Sequence, residues 1–125
     1  MIIKGEAKMI WLKTASFLMF VAVCLGAFGS HMLKDKLVGH YAEVYKTAVL
    51  YHFIHAMGLF VVAWLSVVAM SPKVTLAGQF FVLGIVLFSG SLYVLSITQI
   101  KWVGAITPLG GLSFLMGWLL IFLNR

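Results

Sequence analysis

An all-α fold is predicted: a four-helix transmembrane bundle, up-down-up-down, with a short amphipathic interfacial helix between spans one and two. Three features of the sequence carry that expectation. Of 125 residues, 63% are hydrophobic and 10% charged, about half the charged share of a soluble domain. The apolar residues gather in four runs, 14–33, 47–70, 76–98 and 103–123, and about 20 residues at 1.5 Å rise cross a ~30 Å hydrocarbon core. No acidic residue falls inside a run, since Glu6, Asp35 and Glu43 all lie between or before them. Within lipid an open strand edge leaves its backbone groups unsatisfied, so each run reads as a helix. Residues 1–125 form a single four-span membrane domain.

The first run follows Lys4, Lys8 and Lys13, as a signal peptide would, but it exceeds the 7–15 residues of a signal core. It is expected to be a retained span. Ala15, Ala22 and Gly29 recur every seven residues with Gly26 beside them. Lipid gives helices no hydrophobic drive to associate, so such small residues set their approach. Cys24 is expected to be a small buried hydrophobe.

In the break at 34–46, Leu37, Tyr41, Val44 and Tyr45 are spaced for one helical face and Lys36, His40 and Glu43 for another. This predicts an interfacial amphipathic helix. Span two carries Ala48, His52, His55, Leu59, Val62 and Ser66 at alternating spacings of four and three. That is a coiled-coil-like seam, which turns both histidines toward other helices.

Span three repeats the seven-residue series as Ala77, Gly84, Ser91 and Thr98. In span four Gly104, Gly111 and Trp118 run beside Gly110 and Gly117. Together with Gly26, Gly29, Gly84 and Gly90 these are the expected helix-packing glycines. Thr107-Pro108 suits a helix start, with Thr107 as cap and Pro108 in the first turn. Residues 104–106 would then be irregular backbone ahead of a helix N-terminus able to meet an anion or carbonyl. The alternative is a proline-kinked helix repaired by its neighbours.

Four spans place both termini on one side, side A, with the first and third connections on side B. The polar residues then converge on one leaflet. Ser30, His31, His52, His55, Ser89, Ser91, Tyr93 and Thr107 all fall near side-B ends of their spans and form the candidate ligand or polar cluster. The basic residues do not orient the chain. Side A carries Lys4, Lys8, Lys13, Lys73 and Arg125, and side B carries Lys34, Lys36, Lys46 and Lys101, a near balance under the positive-inside rule.

The net charge of +6 is spread over tails and loops with no basic stripe, which implies contact with lipid headgroups and not nucleic acid. Without carboxylates at membrane depth there is no basis for a proton relay or cation path. No phosphate loop, zinc motif or nucleophile elbow occurs, and the serines have no acid to complete a triad. No catalytic residue, enzyme activity or cofactor is therefore expected.

The expected function is binding of a lipid or amphiphile, or of a partner membrane protein, through the cluster. A haem- or metal-binding accessory subunit of a membrane redox complex is the chemical alternative. Its ligands would be His31 and His55, with His52, Met32 and Met57 nearby in sequence. A small transporter is a further alternative. More small-residue faces are present than one bundle can bury, which makes a homo-oligomer or membrane-complex subunit an expected state.

Four blocks in order also resemble a known family. They are Gly26-Ala27-Phe28-Gly29-Ser30-His31; Lys46-Thr47-Ala48 through Tyr51-His52 to His55-Ala56; Phe88-Ser89-Gly90-Ser91-Leu92-Tyr93; and Gly104 through Gly111 with Gly117-Trp118. Together they resemble the domain-of-unknown-function 423 family of small multi-pass inner-membrane proteins. The resemblance covers all four spans, leaves out the tail to Lys8, and departs at His52, where glutamine is usual. It implies a four-span protein of the cell membrane and supplies no catalytic residue.

Overall fold

The computed structural model describes residues 4–125. They form α1 (Lys4–His31), α2 (His40–Val68), α3 (Pro72–Gly84), a π-helical segment (Ile85–Ser89), α4 (Gly90–Thr98), a 3₁₀ segment (Lys101–Ala105) and α5 (Thr107–Phe122). No strand occurs among the described residues. Four helical stretches are long and apolar enough to cross a membrane: Gly5–His31, His40–Val68, Pro72–Thr98 and Lys101–Phe122. The helices outrun the apolar runs, as in α1, which continues back through Lys13 and Lys8. Lysine is a good helix former, and nothing ends the helix where it leaves the lipid.

The expected separate helix between spans one and two is not present. Residues 32–39 are turn and loop, closed by Met32 N–H to Phe28 O at 2.7 Å and Leu37 N–H to Leu33 O at 2.8 Å. Gly39 has φ 59° and ψ −129°, a conformation open to glycine and not to a helical residue. Tyr41, Val44 and Tyr45 then belong to the first turns of α2. The two-sided pattern is real, but its apolar side packs on a neighbouring helix: Tyr45 is buried, whereas His40, Glu43 and Lys46 are exposed.

Small residues fix the helix register. The Tyr45 ring lies against Gly29, and Val49 against Gly26, which joins α2 to α1. Phe81 on α3 reaches both Gly58 on α2 and Gly117 on α5. Phe114 on α5 covers Gly84, and Trp11 on α1 covers Gly78. Leu59, Val62, Val74, Ala77 and Phe81 are fully buried at the centre. The expected α2 seam is realised completely: Ala48, His52, His55, Leu59, Val62 and Ser66 are all buried. So are Ala15 and Ala22 of α1. Cys24, expected in the interior, is exposed; its position lies off the Ala15–Ala22 stripe.

The third span breaks its own period. In the π-helical segment Gly90 N–H bonds Ile85 O, five residues back, so one turn holds an extra residue. Beyond it the buried face widens: Ser91, the next member of the expected series, is buried together with Ser89, Leu92 and Ser96, whereas Thr98, the expected end of the series, is exposed. Gly90 is a correction as well: a side chain there would meet only the Ile85 carbonyl, at 3.8 Å, so this glycine is not set by a neighbouring helix.

Candidate ligand site and polar cluster

His55 is held on every side. Its Nδ1 lies 2.8 Å from the Tyr51 carbonyl one turn back, and its Nε2 lies 2.9 Å from the Trp118 indole nitrogen on α5. A carbonyl only accepts and an indole N–H only donates, so His55 carries its proton on Nδ1 and is neutral. The ring stacks on Phe114 with centroids 3.5 Å apart and planes 6° apart. Span two thus meets span four through a histidine–tryptophan bond, at a position where an unpaired imidazole would be costly.

His52 sits one turn earlier and is 2% exposed. Its Nδ1 lies 2.8 Å from the Tyr93 hydroxyl on α4, while its Nε2 has no partner within hydrogen-bonding geometry. Tyr93 packs against Tyr45 with ring centroids 5.4 Å apart, and Tyr45 donates its hydroxyl to the Leu25 carbonyl of α1. Two tyrosines and a histidine therefore bridge α1, α2 and α4.

The serines bond to helices. Ser89, in the π-helical segment, donates to the Ala48 carbonyl at 2.8 Å. Ser91 lies 2.6 Å from the Thr107 hydroxyl. Thr107 was expected to cap α5 with its side chain; it makes no cap bond and ties α4 to α5 instead. Pro108 does fall in the first turn of α5, and residues 101–105 ahead of it are hydrogen-bonded 3₁₀ helix and not irregular backbone.

The structure thus gathers His52, Tyr93, Ser89, Ser91, Thr107 and His55 between helices. It does not include His31, which is the exposed last residue of α1, or bury Ser30. His31 follows Gly29 by two residues, about 200° of helical turn. With Gly29 turned to Tyr45, His31 must face away. Tyr45 and Trp118 were not expected as polar partners. Trp118 carried a partial signal, since it ends the Gly104–Gly111 series, whereas Tyr45 read as one face of an interfacial helix and only the packing against Gly29 shows its place.

The geometry also bears on metal or haem. Both nitrogens of His55 are occupied by protein partners, and His31 points elsewhere. No group of three or more His, Cys, Asp or Glu converges among the described residues.

Two grooves flank this region and share Leu50. One, of about 530 Å³, runs between α1 and α2 and is lined by Gly26, Ser30, Lys34, Tyr45, Lys46 and Phe53 among others. The other, of about 750 Å³, lies between α2 and α5 and is walled by Tyr51, His55, Phe88, Pro108, Phe114 and Trp118 among others. Gly111 also lines it, and Phe88, 3.8 Å from a side chain placed there, is its nearest neighbour.

All eight residues of the expected cluster lie within 25–111, the stretch matched by the family model described as "Protein of unknown function (DUF423)". The chain belongs to the DUF423 family. Its DUF423 relatives include the UPF0382 membrane protein YwdK of Bacillus subtilis, 54% identical over 102 residues, which cover 81% of this chain and 83% of that protein. The UPF0382 membrane protein SH2409 of Staphylococcus haemolyticus is 45% identical over 104 residues, covering 83% and 84%. SAB0533 of Staphylococcus aureus is 42% identical over 103 residues, covering 82% and 84%. No solved structure matches the chain. With four membrane-crossing helices and relatives named as membrane proteins, this DUF423 member is a multi-pass protein of the cell membrane.

Proposed function

We propose that this protein is a non-enzymatic membrane component that binds a lipid or lipid-like amphiphile in one leaflet. The observation that carries the reading is the pair of grooves beside the polar end of the bundle, about 530 Å³ and 750 Å³. Both fall within the ~300–1,000 Å³ of small-molecule sites. Their walls are mostly apolar and aromatic with a few polar groups, the composition such sites favour. The neighbouring cluster supports a binding role over catalysis. Its hydroxyls and imidazoles bond to one another and to backbone carbonyls, so they hold walls in place and present no activated nucleophile.

In this reading the spans run up-down-up-down. Three pairings support it. Gly26 and Gly29 near the end of α1 meet Val49 and Tyr45 near the start of α2. The Ala48 carbonyl, early in α2, meets Ser89 late in span three. Gly110 and Gly117 of α5 meet Phe88 and Phe81 in reverse order.

Native mass spectrometry of the full chain released from membranes in mild detergent tests the reading. A one-to-one adduct of lipid mass is expected, and Gly111→Leu, which narrows the α2/α5 groove, is expected to shed part of it. Bare protein that keeps its helicity under the same conditions would sink the proposal.

A further inference from the structure

The α1/α2 groove differs from its neighbour in being amphiphilic along its length. At one end stand Lys34, from the turn that follows α1, and Lys46, from the second turn of α2, with Ser30, exposed, also on the lining. At the other end are Gly26, Val49, Leu50 and Phe53. Lys46 and Phe53 are seven residues apart on one helix, so the groove descends about 10 Å from its cationic mouth. One wall is fixed, because Tyr45 is tied to the Leu25 carbonyl and its ring rests on Gly29. The depth of the groove depends on Gly26, whose missing side chain leaves Val49 as the nearest neighbour at 3.5 Å.

We propose that this groove is a site for an anionic phospholipid, its phosphate held between Lys34 and Lys46 and one acyl chain laid along Gly26, Val49 and Phe53. The inference rests on the amphiphile-binding reading and names the class of ligand. Charge complementarity selects the occupant. The two lysines are the charged residues that line the groove, and of the nearby acids only Glu43 engages one of them. The Glu43–Lys46 pair is 3.4 Å long with both side chains 73% exposed, a contact of small net strength that a phosphate can displace. Lys34 makes no ion pair among the described residues. A free phosphate would leave the apolar half of the groove unfilled. A zwitterionic lipid would bring its own cation against the lysines.

The test uses the full chain in detergent, mixed with equal amounts of phosphatidylglycerol and phosphatidylcholine bearing the same acyl chains, and reads retained lipid by native mass spectrometry. Each basic residue near an anionic headgroup contributes about a fivefold preference. Wild type is therefore expected to favour phosphatidylglycerol by about 25-fold, and Lys34→Gln or Lys46→Gln to lower that by about fivefold each. Glu43→Gln releases Lys46 and should raise the preference. Lys101→Gln, a change outside the groove, should leave it unchanged.

These substitutions are on exposed side chains, so an unchanged melting profile accompanies each measurement. Equal retention of both lipids, or equal losses for Lys101→Gln and Lys34→Gln, overturns the anionic site while leaving amphiphile binding in place. Displacement of phosphatidylglycerol by millimolar inorganic phosphate overturns the assignment to a lipid. No retention of either lipid removes the amphiphile reading itself.

Discussion

His55 illustrates what a single residue contributes in this bundle. An imidazole in lipid is unfavourable unless both nitrogens find partners, and here they find the Tyr51 carbonyl and the Trp118 indole. Removing one side of the histidine–tryptophan bond orphans the other. Trp118→Phe and His55→Phe should each destabilise the protein by about 1 kcal/mol, within the range of interhelical hydrogen bonds in membranes. The double variant replaces both partners with apolar rings and should cost less than the sum of the two. Unfolding of the four proteins in micelles measures the coupling; strict additivity would show that the bond contributes nothing. His55 and His52 were legible as inward-facing because their spacing continues a seam that begins at Ala48 and ends at Ser66. The polar partners were harder to read. Trp118 and Tyr45 are amphipathic, and only the packed helices show which end of such a ring is used.

At the scale of elements, the period of a helix can be read from sequence, but a change of period inside it cannot be read as easily. Span three keeps its expected buried residues Ala77, Gly84 and Ser91, takes in Leu92 and Ser96 beyond the π-helical segment that inserts one residue, and loses the series at its exposed end, Thr98. The insertion also shapes the contact with α5. A Cβ at Gly110 would sit 2.7 Å from the Cα of Phe88 and from the carbonyl carbon of Leu87, against backbone that has no rotamer to yield. A side chain at Gly111 would instead meet the Phe88 ring at an ordinary 3.8 Å. Gly110→Ala should therefore destabilise the bundle by about 1–3 kcal/mol, the usual cost of overpacking, while Gly111→Ala should be tolerated. Melting temperatures in detergent separate the two, and equal effects would mean that α5 does not rest on the π-helical segment. The interfacial helix failed for a related reason. A pattern of apolar and charged residues at 37–46 cannot by itself distinguish a helix lying on the membrane from the first turns of one entering it. Gly39 decides the matter by breaking the chain there and nowhere later.

On the scale of the whole molecule, composition alone made four spans legible, because only lipid can accept so much apolar surface. Arrangement required contacts. The second connection and the C-terminus are tied together: Ser71 Oγ lies 2.5 Å from Asn124 Oδ1, and Asn124 Nδ2 donates to the Ala69 carbonyl at 3.0 Å. Trp11, near the start of α1, packs on Gly78, near the start of α3. The starts of spans one and three and the end of span four therefore share one end of the bundle, and the proposed up-down-up-down order would put both termini on one side of the membrane. Reporter fusions to the N- and C-terminus, one active only in the cytoplasm and one only outside it, should give the same answer at both ends. Opposite answers would require an odd number of crossings and would undo the arrangement of the grooves. The absolute orientation is a separate matter on which five basic residues against four exert little bias, and so the expected result concerns agreement between the two termini, whichever side they occupy.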